Sequence, residues 1–180
     1  MPLRLAINGF GRIGRLVYRA ILESGRTDVS VVGINDLGSA EDNAHLLKFD
    51  TVHGRLDIGI TVDGETMDAG AGPVRVTAER DPASLPWAEM EVDIALECTG
   101  LFANRDAAAK HLEAGAKRVL ISAPAAGADL TVVYGVNSDR LTGDHTVVSN
   151  ASCTTNCLAP VAHVLNQAVG IERGFMTTIH

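Results

Sequence analysis

The sequence has 180 residues, enough for one domain of ordinary size, or for one domain and part of another, with a sizeable apolar core. Its 15 Lys and Arg against 22 Asp and Glu give a net charge of -7, which argues against a nucleic-acid surface or an anionic membrane as the main partner. No basic leader followed by an apolar run opens the chain, and no stretch of about 18 consecutive apolar residues occurs in it. We therefore expect a soluble, cytoplasmic protein with no nucleic-acid or membrane partner.

The N-terminal segment predicts a strand, a helix and a second strand. Residues 4–8 form a short apolar run, and apolar residues from Ile13 to Ile21 recur at i, i+3, i+4, i+7 and i+8, which is one face of a helix. Gly25 provides a stop for that helix, and the β-branched run at 29–34 reads as the next strand. Such a βαβ unit implies parallel pairing with a right-handed crossover, so we expect the α/β fold class.

Further strands are predicted at 92–98, 118–122 and 131–134. Asn104 is suited to cap a helix at 106–113 between the first two of these strands. The alternation of strands and helices continues, so we expect a mostly parallel sheet.

The middle of the chain is less regular than either side of it. Residues 58–62 and 74–76 read as two strands around a turn at 63–65, an insertion without a functional signal of its own. Near the end, residues 153–168 predict a helix and residues 174–180 predict a strand.

A glycine-rich turn, GFGRIG at 9–14, joins the first strand to the first helix and matches the pattern G-x-G-x-x-G. Gly9 permits the tight turn, Gly11 lets a pyrophosphate approach the backbone, and Gly14 allows close packing of helix on strand. The N–H groups at the helix N-terminus are then available to phosphates. A dinucleotide-binding turn is therefore the favoured interpretation.

Asp36 supports the same interpretation. It follows Gly14 by 22 residues, at the end of the second strand, close to the spacing of about 20 at which an acid reaches the ribose hydroxyls. Because an acid there repels a 2′-phosphate, NAD is favoured over NADP. The alternative is that the glycines serve only a tight turn and that Asp36 is a solvated strand-end residue.

Two thiols stand four residues apart in the stretch SNASCTTNC at 149–157. Ser152 or Asn150 can cap a helix that starts here, which puts Cys153 in the first turn, where the helix dipole and exposed N–H groups stabilise a thiolate. A disulfide to Cys157 is geometrically awkward inside a regular helix, and zinc would need further ligands, so we predict no metal site. Cys153 is the candidate nucleophile, and Cys157 is interpreted as a small packed hydrophobe.

His180 and Cys98 are the other residues of chemical interest. His180 comes 27 residues after Cys153 at the end of a predicted strand, where the fold could bring it beside the thiol. From the residues alone, a histidine in such a place is more often a simple polar residue than a catalytic base. Cys98 ends a buried-looking strand and is interpreted as structural, and with an odd cysteine count we expect reduced thiols.

Taken together, these motifs closely resemble the phosphorylating glyceraldehyde-3-phosphate dehydrogenase family. The similarity rests on blocks spread over the whole chain: AINGFGRIGR at 6–15, IND at 34–36, LLKFDTVHG at 46–54, ERDPASLPW at 79–87, ECTG at 97–100, TVVYGVN at 131–137, SNASCTTNCLAP at 149–160 and TTIH at 177–180. Of these, SNASCTTNC is highly specific.

The resemblance implies a Rossmann-type, doubly wound NAD-binding domain over 1–150, followed over 151–180 by the start of an α+β catalytic domain. Family members run to nearly twice this length and are typically homotetramers, so the chain looks like the N-terminal part of such an enzyme. On that basis we expect a chain that ended at His180 to have little or no dehydrogenase activity.

Site residues carry over by position. Cys153 matches the family's catalytic thiol and His180 the histidine that activates it, while Ser152 and Thr154 match residues near the substrate or the attacking phosphate. The positions that match cofactor-binding residues are Gly9, Gly11, Arg12, Ile13, Gly14, Asp36, Arg80 and Ser122.

The activity implied by the resemblance is oxidation of glyceraldehyde 3-phosphate to 1,3-bisphosphoglycerate with NAD and inorganic phosphate. The Cys153 thiolate would add to the aldehyde, and the resulting thiohemiacetal would lose a hydride to NAD, leaving a thioester that phosphate attacks. Two alternatives stay open. One is erythrose-4-phosphate dehydrogenase, although Ser-Ala-Pro-Ala at 122–125 resembles the glyceraldehyde enzyme more closely, and the other is a non-catalytic NAD-binding module with a reactive thiol.

Overall fold

A computed structural model describes residues 1–179, so His180 lies outside the described residues. The strands over this range are β1 (Leu3–Asn8), β2 (Val29–Asn35), β3 (Phe49–Asp50), β4 (Gly54–Arg55), β5 (Thr61–Asp63), β6 (Thr66–Asp68), β7 (Pro73–Thr77), β8 (Ile94–Glu97), β9 (Arg118–Ile121), β10 (Leu130–Thr131) and β11 (Val147–Ser149). The α-helices are α1 (Arg12–Ser24), α2 (Ala40–Lys48), α3 (Arg105–Glu113) and α4 (Cys153–Val169).

Nine of these strands form one sheet in the order β10-β11-β9-β8-β1-β2-β7-β6-β5. Seven neighbouring strands, from β10 to β7, pair in parallel, and β6 and β5 add an antiparallel edge. Numbering the central six parallel strands in chain order gives 3-2-1-4-5-6, the arrangement of a Rossmann fold, with the order reversing between β1 and β8. The predicted α/β class and mostly parallel sheet are confirmed.

Both faces of the sheet carry a buried core cluster, and neighbouring residues of one strand belong to different clusters because their side chains point to opposite faces. Ile7 of β1 belongs to a core cluster with Phe10 and Tyr18 of the α1 side. Ala6, its neighbour in β1, belongs to a separate cluster with Trp87 on the other face. The sheet is therefore packed on both faces, as in a doubly wound fold, and this packing holds the strand ends in place.

Helix boundaries follow the sequence closely where a cap is present. Gly25 ends α1 with a left-handed backbone (φ 62°), as its position predicts. The Asn104 side chain accepts a hydrogen bond from the Ala107 N–H at the start of α3. Helix α4 covers the predicted range, and no helix among residues 1–179 has the length and apolarity needed to cross a membrane.

Several predicted elements in the middle and at the end of the chain need correction. The turn at 63–65 is present, but it connects β5 to β6 and not to the predicted strand at 74–76. β6 was missed because three residues are too few to show a strand period. The predicted strand at 74–76 lies in β7, which pairs with β6 and with β2. The predicted strand at 131–134 is limited to Leu130–Thr131. Residues 174–179 form no strand, and the sequence did not predict strand β11 or helix α2.

Candidate functional site

The three glycines of the turn at 9–14 have different surroundings. Gly9 has a φ of 88°, and a Cβ there would lie 2.7 Å from the Thr99 backbone nitrogen. At Gly14 a Cβ would lie 2.1 Å from the Gly9 carbonyl oxygen, whereas at Gly11 it would meet nothing within 4 Å. Gly9 and Gly14 therefore permit close backbone packing, and Gly11 leaves open space in front of α1, as the pattern predicts.

Asp36 is tied to the same turn. Its Oδ2 accepts a hydrogen bond from the Phe10 N–H (2.8 Å), and its Oδ1 accepts one from the Gly38 N–H (2.9 Å). The carboxylate is half-buried and each oxygen keeps a further acceptor position, so Asp36 can still bind a ribose hydroxyl.

A crevice of about 410 Å³ opens where β1, β2 and β8 end, and we call it the strand-end crevice. It lies at the point where the strand order reverses, the place at which open α/β sheets bind ligands. Its walls include Asn8, Gly11, Asn35, Asp36, Arg80 and Thr99. The predicted cofactor residues Gly9, Gly11, Asp36 and Arg80 therefore lie around one cavity.

The residues at this crevice fit a dinucleotide. Gly11 is the N-cap of α1 and provides no side-chain hydrogen bond, so within residues 1–179 no capping side chain occupies the first N–H groups of the helix. Open space at Gly11, free N–H groups and the acid at Asp36 together meet the needs of a pyrophosphate and a ribose.

Arg12, another predicted cofactor residue, makes an ion pair with Asp50. Its Nη1 lies 3.1 Å from Asp50 Oδ2. The N–H groups of His53 and Val52 donate to the other oxygen, and these bonds, with Arg12, lower the pKa of Asp50 to about 2. Arg12 is not part of the wall of the strand-end crevice, so its cofactor role stays a prediction.

A second cavity of about 300 Å³, the thiol cavity, connects the first helix to the candidate nucleophile. Its walls include Ile13, Cys98, Ser122, Ser152 and Cys153. Because Cys98 also lines the strand-end crevice, the two cavities are neighbours. The structure thus brings two predicted cofactor residues, Ile13 and Ser122, next to Cys153.

Cys98 and Cys153 have opposite surroundings. Burial raises the pKa of the Cys98 thiol to about 11 despite a hydrogen bond with Ser122. Cys153 is exposed at the first position of α4. The raised pKa keeps the Cys98 thiol mostly protonated at neutral pH, and Cys153 is the more exposed of the two thiols.

The start of α4 is organised by hydrogen bonds among small polar residues. Ser152 is the N-cap, and its Oγ accepts a bond from the Thr155 N–H (3.0 Å) and lies 2.9 Å from Thr154 Oγ1. Ala151 before it has a left-handed backbone (φ 57°), which is uncommon for a residue other than glycine. Of the two capping candidates, Ser152 is the one that the structure uses.

Within residues 1–179, Cys157 is not packed as predicted. It is exposed, and it lines a groove along α4 together with Cys153, Thr154 and Met176. The spacing of four residues correctly puts both thiols on one face, but none of the residues of α4 is buried by the described part of the chain.

Sequence reasoning missed a set of polar residues at the strand-end crevice. Asn8, Asn35, Glu79 and Thr99 all line it. The signal was present, because Asn8 ends β1 and Asn35 ends β2, and polar residues at the carboxyl ends of parallel strands meet at one edge of a sheet.

Comparison with known proteins agrees with this geometry. Residues 3–105 match the NAD binding domain of glyceraldehyde 3-phosphate dehydrogenase, and residues 152–180 match its C-terminal domain. The chain is 71% identical over 180 residues to the glyceraldehyde-3-phosphate dehydrogenase of Xanthobacter flavus, covering all of this chain and 54% of that protein. The corresponding enzymes of Cereibacter sphaeroides (64%, covering 54% of it) and Geobacillus stearothermophilus (55%, covering 53%) also match over the whole chain. The chain thus spans about half the length of these curated relatives.

Proposed function

The chain belongs to the glyceraldehyde-3-phosphate dehydrogenase family, and from that premise we propose that the protein oxidises glyceraldehyde 3-phosphate to 1,3-bisphosphoglycerate. Its cofactor is NAD, since residues 3–105 are the family's NAD-binding domain. Inorganic phosphate is the second substrate in this proposal. We also propose that the NAD-binding domain extends over 1–150, that 151–180 begin the catalytic domain, and that the protein is a cytoplasmic homotetramer.

One observation carries the proposal. Cys153 is exposed at the first position of α4 and shares the thiol cavity with Ile13 of α1 and with Ser122. A nucleophile at a helix start therefore adjoins the crevice where the dinucleotide fits. The reacting carbon of an aldehyde bound to this thiol would lie on the side of the cofactor.

The chemistry assigned to Cys153 follows from its place on the helix. Free N–H groups in the first turn of α4 and the helix dipole favour the thiolate that adds to the aldehyde carbon. The same N–H groups can stabilise the oxyanion of the thiohemiacetal. We propose that His180 takes the thiol proton and that Ser152 and Thr154 bind phosphate oxygens.

On the cofactor side, the start of α1 and Asp36 would bind the pyrophosphate and the ribose, with Arg12, Arg80 and Ser122 as further contacts. NAD, when bound, supplies the hydride acceptor. Loss of hydride leaves a thioester on Cys153, which inorganic phosphate attacks to release the acyl phosphate and the thiolate.

The test is NADH formation from glyceraldehyde 3-phosphate, NAD and inorganic phosphate by the full-length protein. We expect turnover that requires phosphate and that Cys153→Ser abolishes, while Cys157→Ser, one helical turn further along α4, retains it. Erythrose 4-phosphate, tested in parallel, should be oxidised much more slowly. A higher rate with erythrose 4-phosphate would show that erythrose 4-phosphate is the substrate. NAD binding without turnover of either aldehyde would show that the protein binds NAD but is not a dehydrogenase.

A further inference from the structure

We propose that a buried hydrogen-bond network beneath the strand-end crevice positions the residues that bind NAD. The network, called the Glu97 network here, runs from Trp87 through His111 and Glu97 to Asn8 and Thr99. His111 is completely buried on α3, and we assign it as a positioning residue for NAD. The proposal depends on the NAD-binding domain and not on the dehydrogenase activity proposed above.

The far end of the network fixes the tautomer of His111. Trp87 Nε1 can only donate a hydrogen bond, and it lies 2.9 Å from His111 Nδ1. His111 Nδ1 must therefore accept, so the ring proton is on Nε2, which lies 2.9 Å from Glu97 Oε2. The imidazole is neutral and donates its only N–H to the carboxylate.

Glu97 is a buried carboxylate surrounded by uncharged donors. Besides the His111 N–H, its Oε2 accepts from Asn8 Nδ2 (2.7 Å), and its Oε1 accepts from the Thr99 N–H (2.8 Å) and from the Thr99 hydroxyl. Burial raises the pKa of Glu97, but the hydrogen bonds from His111, Thr99 and Asn8 outweigh burial and bring it below its usual value. The carboxylate is therefore ionised, although the side chain is only 1% exposed.

An ionised Glu97 sets the direction of every further bond toward the crevice. A carboxylate only accepts, so Asn8 donates through Nδ2 and its Oδ1 accepts from Asn35 Nδ2 (2.7 Å). Asn35 Oδ1 then accepts from the Glu79 N–H (2.8 Å) and from the Thr77 hydroxyl (2.9 Å). Each amide in this sequence has one allowed orientation.

The network ends at the surface that the cofactor would contact. Asn8, Asn35, Glu79 and Thr99 line the strand-end crevice, whereas His111 does not. Burial of an ionised carboxylate with uncharged partners costs folding free energy, and an apolar residue of similar size would fill the same space. Because such a group is a poor choice for packing alone, its orientation of the crevice residues is the function that we infer.

Two substitutions of His111 cut the network on opposite sides. His111→Asn keeps an acceptor near the position of Nδ1 for Trp87 but removes the donor to Glu97. His111→Gln keeps a donor near the position of Nε2 for Glu97 but removes the acceptor for Trp87. Both variants lose one buried hydrogen bond and part of the ring, so each should lower the melting temperature to a similar extent.

The experiment measures the NAD affinity of the full-length variants by calorimetry, together with their melting temperatures. The comparison shows whether His111 positions the NAD-binding residues or only fills space. We expect His111→Asn to bind NAD roughly tenfold more weakly and His111→Gln to recover most of that loss. Equal affinities in the two variants, whether both normal or both reduced, would overturn the proposal. The measurement needs no aldehyde, so its failure is separate from a failure of the proposed reaction.

A second pair of variants covers the case in which substitutions at His111 do not fold. Thr99→Val removes the hydroxyl donor to Glu97 at nearly constant shape, and Thr99→Ser keeps the hydroxyl. If the network orients the crevice, Thr99→Val binds NAD several-fold more weakly than Thr99→Ser. If the two variants bind NAD equally well, the hydroxyl bond does not position the crevice and the proposal is wrong.

Discussion

Helices α1 and α4 both present an N-terminus to a cavity, but the two helix starts are capped differently. α1 starts at Gly11 without a side-chain cap and has three buried residues, Gly14, Tyr18 and Arg19. α4 starts at Ser152 with a side-chain cap, and the described part of the chain buries none of its residues. Packing against neighbouring residues therefore contributes to the position of α1, and a side-chain cap orders the first turn of α4.

This difference matters for chemistry. Because Gly11 has no side chain, no N-cap side chain competes with phosphates for the first N–H groups of α1. At α4 the Ser152 hydroxyl occupies the Thr155 N–H, and the uncommon backbone of Ala151 sets the direction of the helix start. The binding groups at the start of α1 are backbone N–H groups, whereas the reactive group at the start of α4 is a side chain, the Cys153 thiol.

The largest expected effect comes from adding one methyl group where α1 packs on β1. In Gly14→Ala the new Cβ would lie 2.1 Å from the Gly9 carbonyl oxygen and 2.8 Å from Ile7 Cγ2, and a backbone oxygen cannot move aside cheaply. We expect the free energy of unfolding to fall by about 3 kcal/mol or more. Chemical denaturation measures it.

Gly11→Ala is the matched control, because its Cβ meets nothing within 4 Å and its φ of -67° suits any residue. Its unfolding free energy should change by less than about 1 kcal/mol, while NAD binding weakens because the methyl group stands in the crevice. Equal destabilisation by the two variants would contradict the assignment of packing to Gly14 and of cofactor access to Gly11.

The next largest effect is the difference in reactivity between the thiol of Cys153, in α4, and the thiol of Cys98, which follows β8. Cys153 is exposed, and burial raises the pKa of Cys98 to about 11 from an ordinary 9.0. At pH 7.5 the thiolate fraction of Cys98 is then roughly a hundredfold below that of an ordinary thiol. Alkylation followed by peptide mass spectrometry should modify Cys153 early and leave Cys98 intact.

The pH dependence of alkylation gives the control. The rate at Cys98 should rise about tenfold per pH unit up to pH 11, since only the thiolate reacts. Unfolding in denaturant should remove the difference between the two thiols. A Cys98 that reacts as fast as Cys153 in the folded protein at neutral pH would show that it is neither buried nor protonated.

The sequence predicts the βαβ unit well and the surroundings of the thiols only in part. The helical period and the glycines determine α1 and its turn locally, so the prediction needs no knowledge of distant residues. The exposure of Cys157 could not be predicted, because spacing shows which residues share a helix face but not what covers that face. The Glu97 network brings Asn8 close to His111, which is 103 positions away, and no local sequence pattern predicts such a contact.

The third effect tests whether the first turn of α4 depends on its cap. Ser152→Ala removes the acceptor of the Thr155 N–H and should cost about 1 kcal/mol of local helix stability. Amide hydrogen exchange at Thr155 should accelerate roughly fivefold. Ser152→Thr keeps a hydroxyl at the same place and should retain most of the protection. Unchanged exchange in Ser152→Ala would mean that other contacts hold the start of α4.

The smallest effect concerns the ion pair beside the start of α1. The N–H groups of His53 and Val52, together with Arg12, lower the pKa of Asp50 from 3.8 to about 2. A carboxyl whose pKa is lower in the folded than in the unfolded protein stabilises the fold above its unfolded pKa, and this contribution is lost as the pH falls through the folded value. Asp50→Asn should therefore melt at a lower temperature than the parent at pH 6, and the difference should shrink between pH 4 and pH 2.

Asp57→Asn provides the comparison for that last measurement, because Asp57 is a nearby exposed acid. Its melting temperature should follow that of the parent protein over the same pH range. A difference between Asp50→Asn and the parent that stays constant from pH 6 to pH 2 would mean that Asp50 acts through packing and not through its charge. In that case the ion pair with Arg12 would contribute nothing to the start of α1, whereas α4 would still have its Ser152 cap.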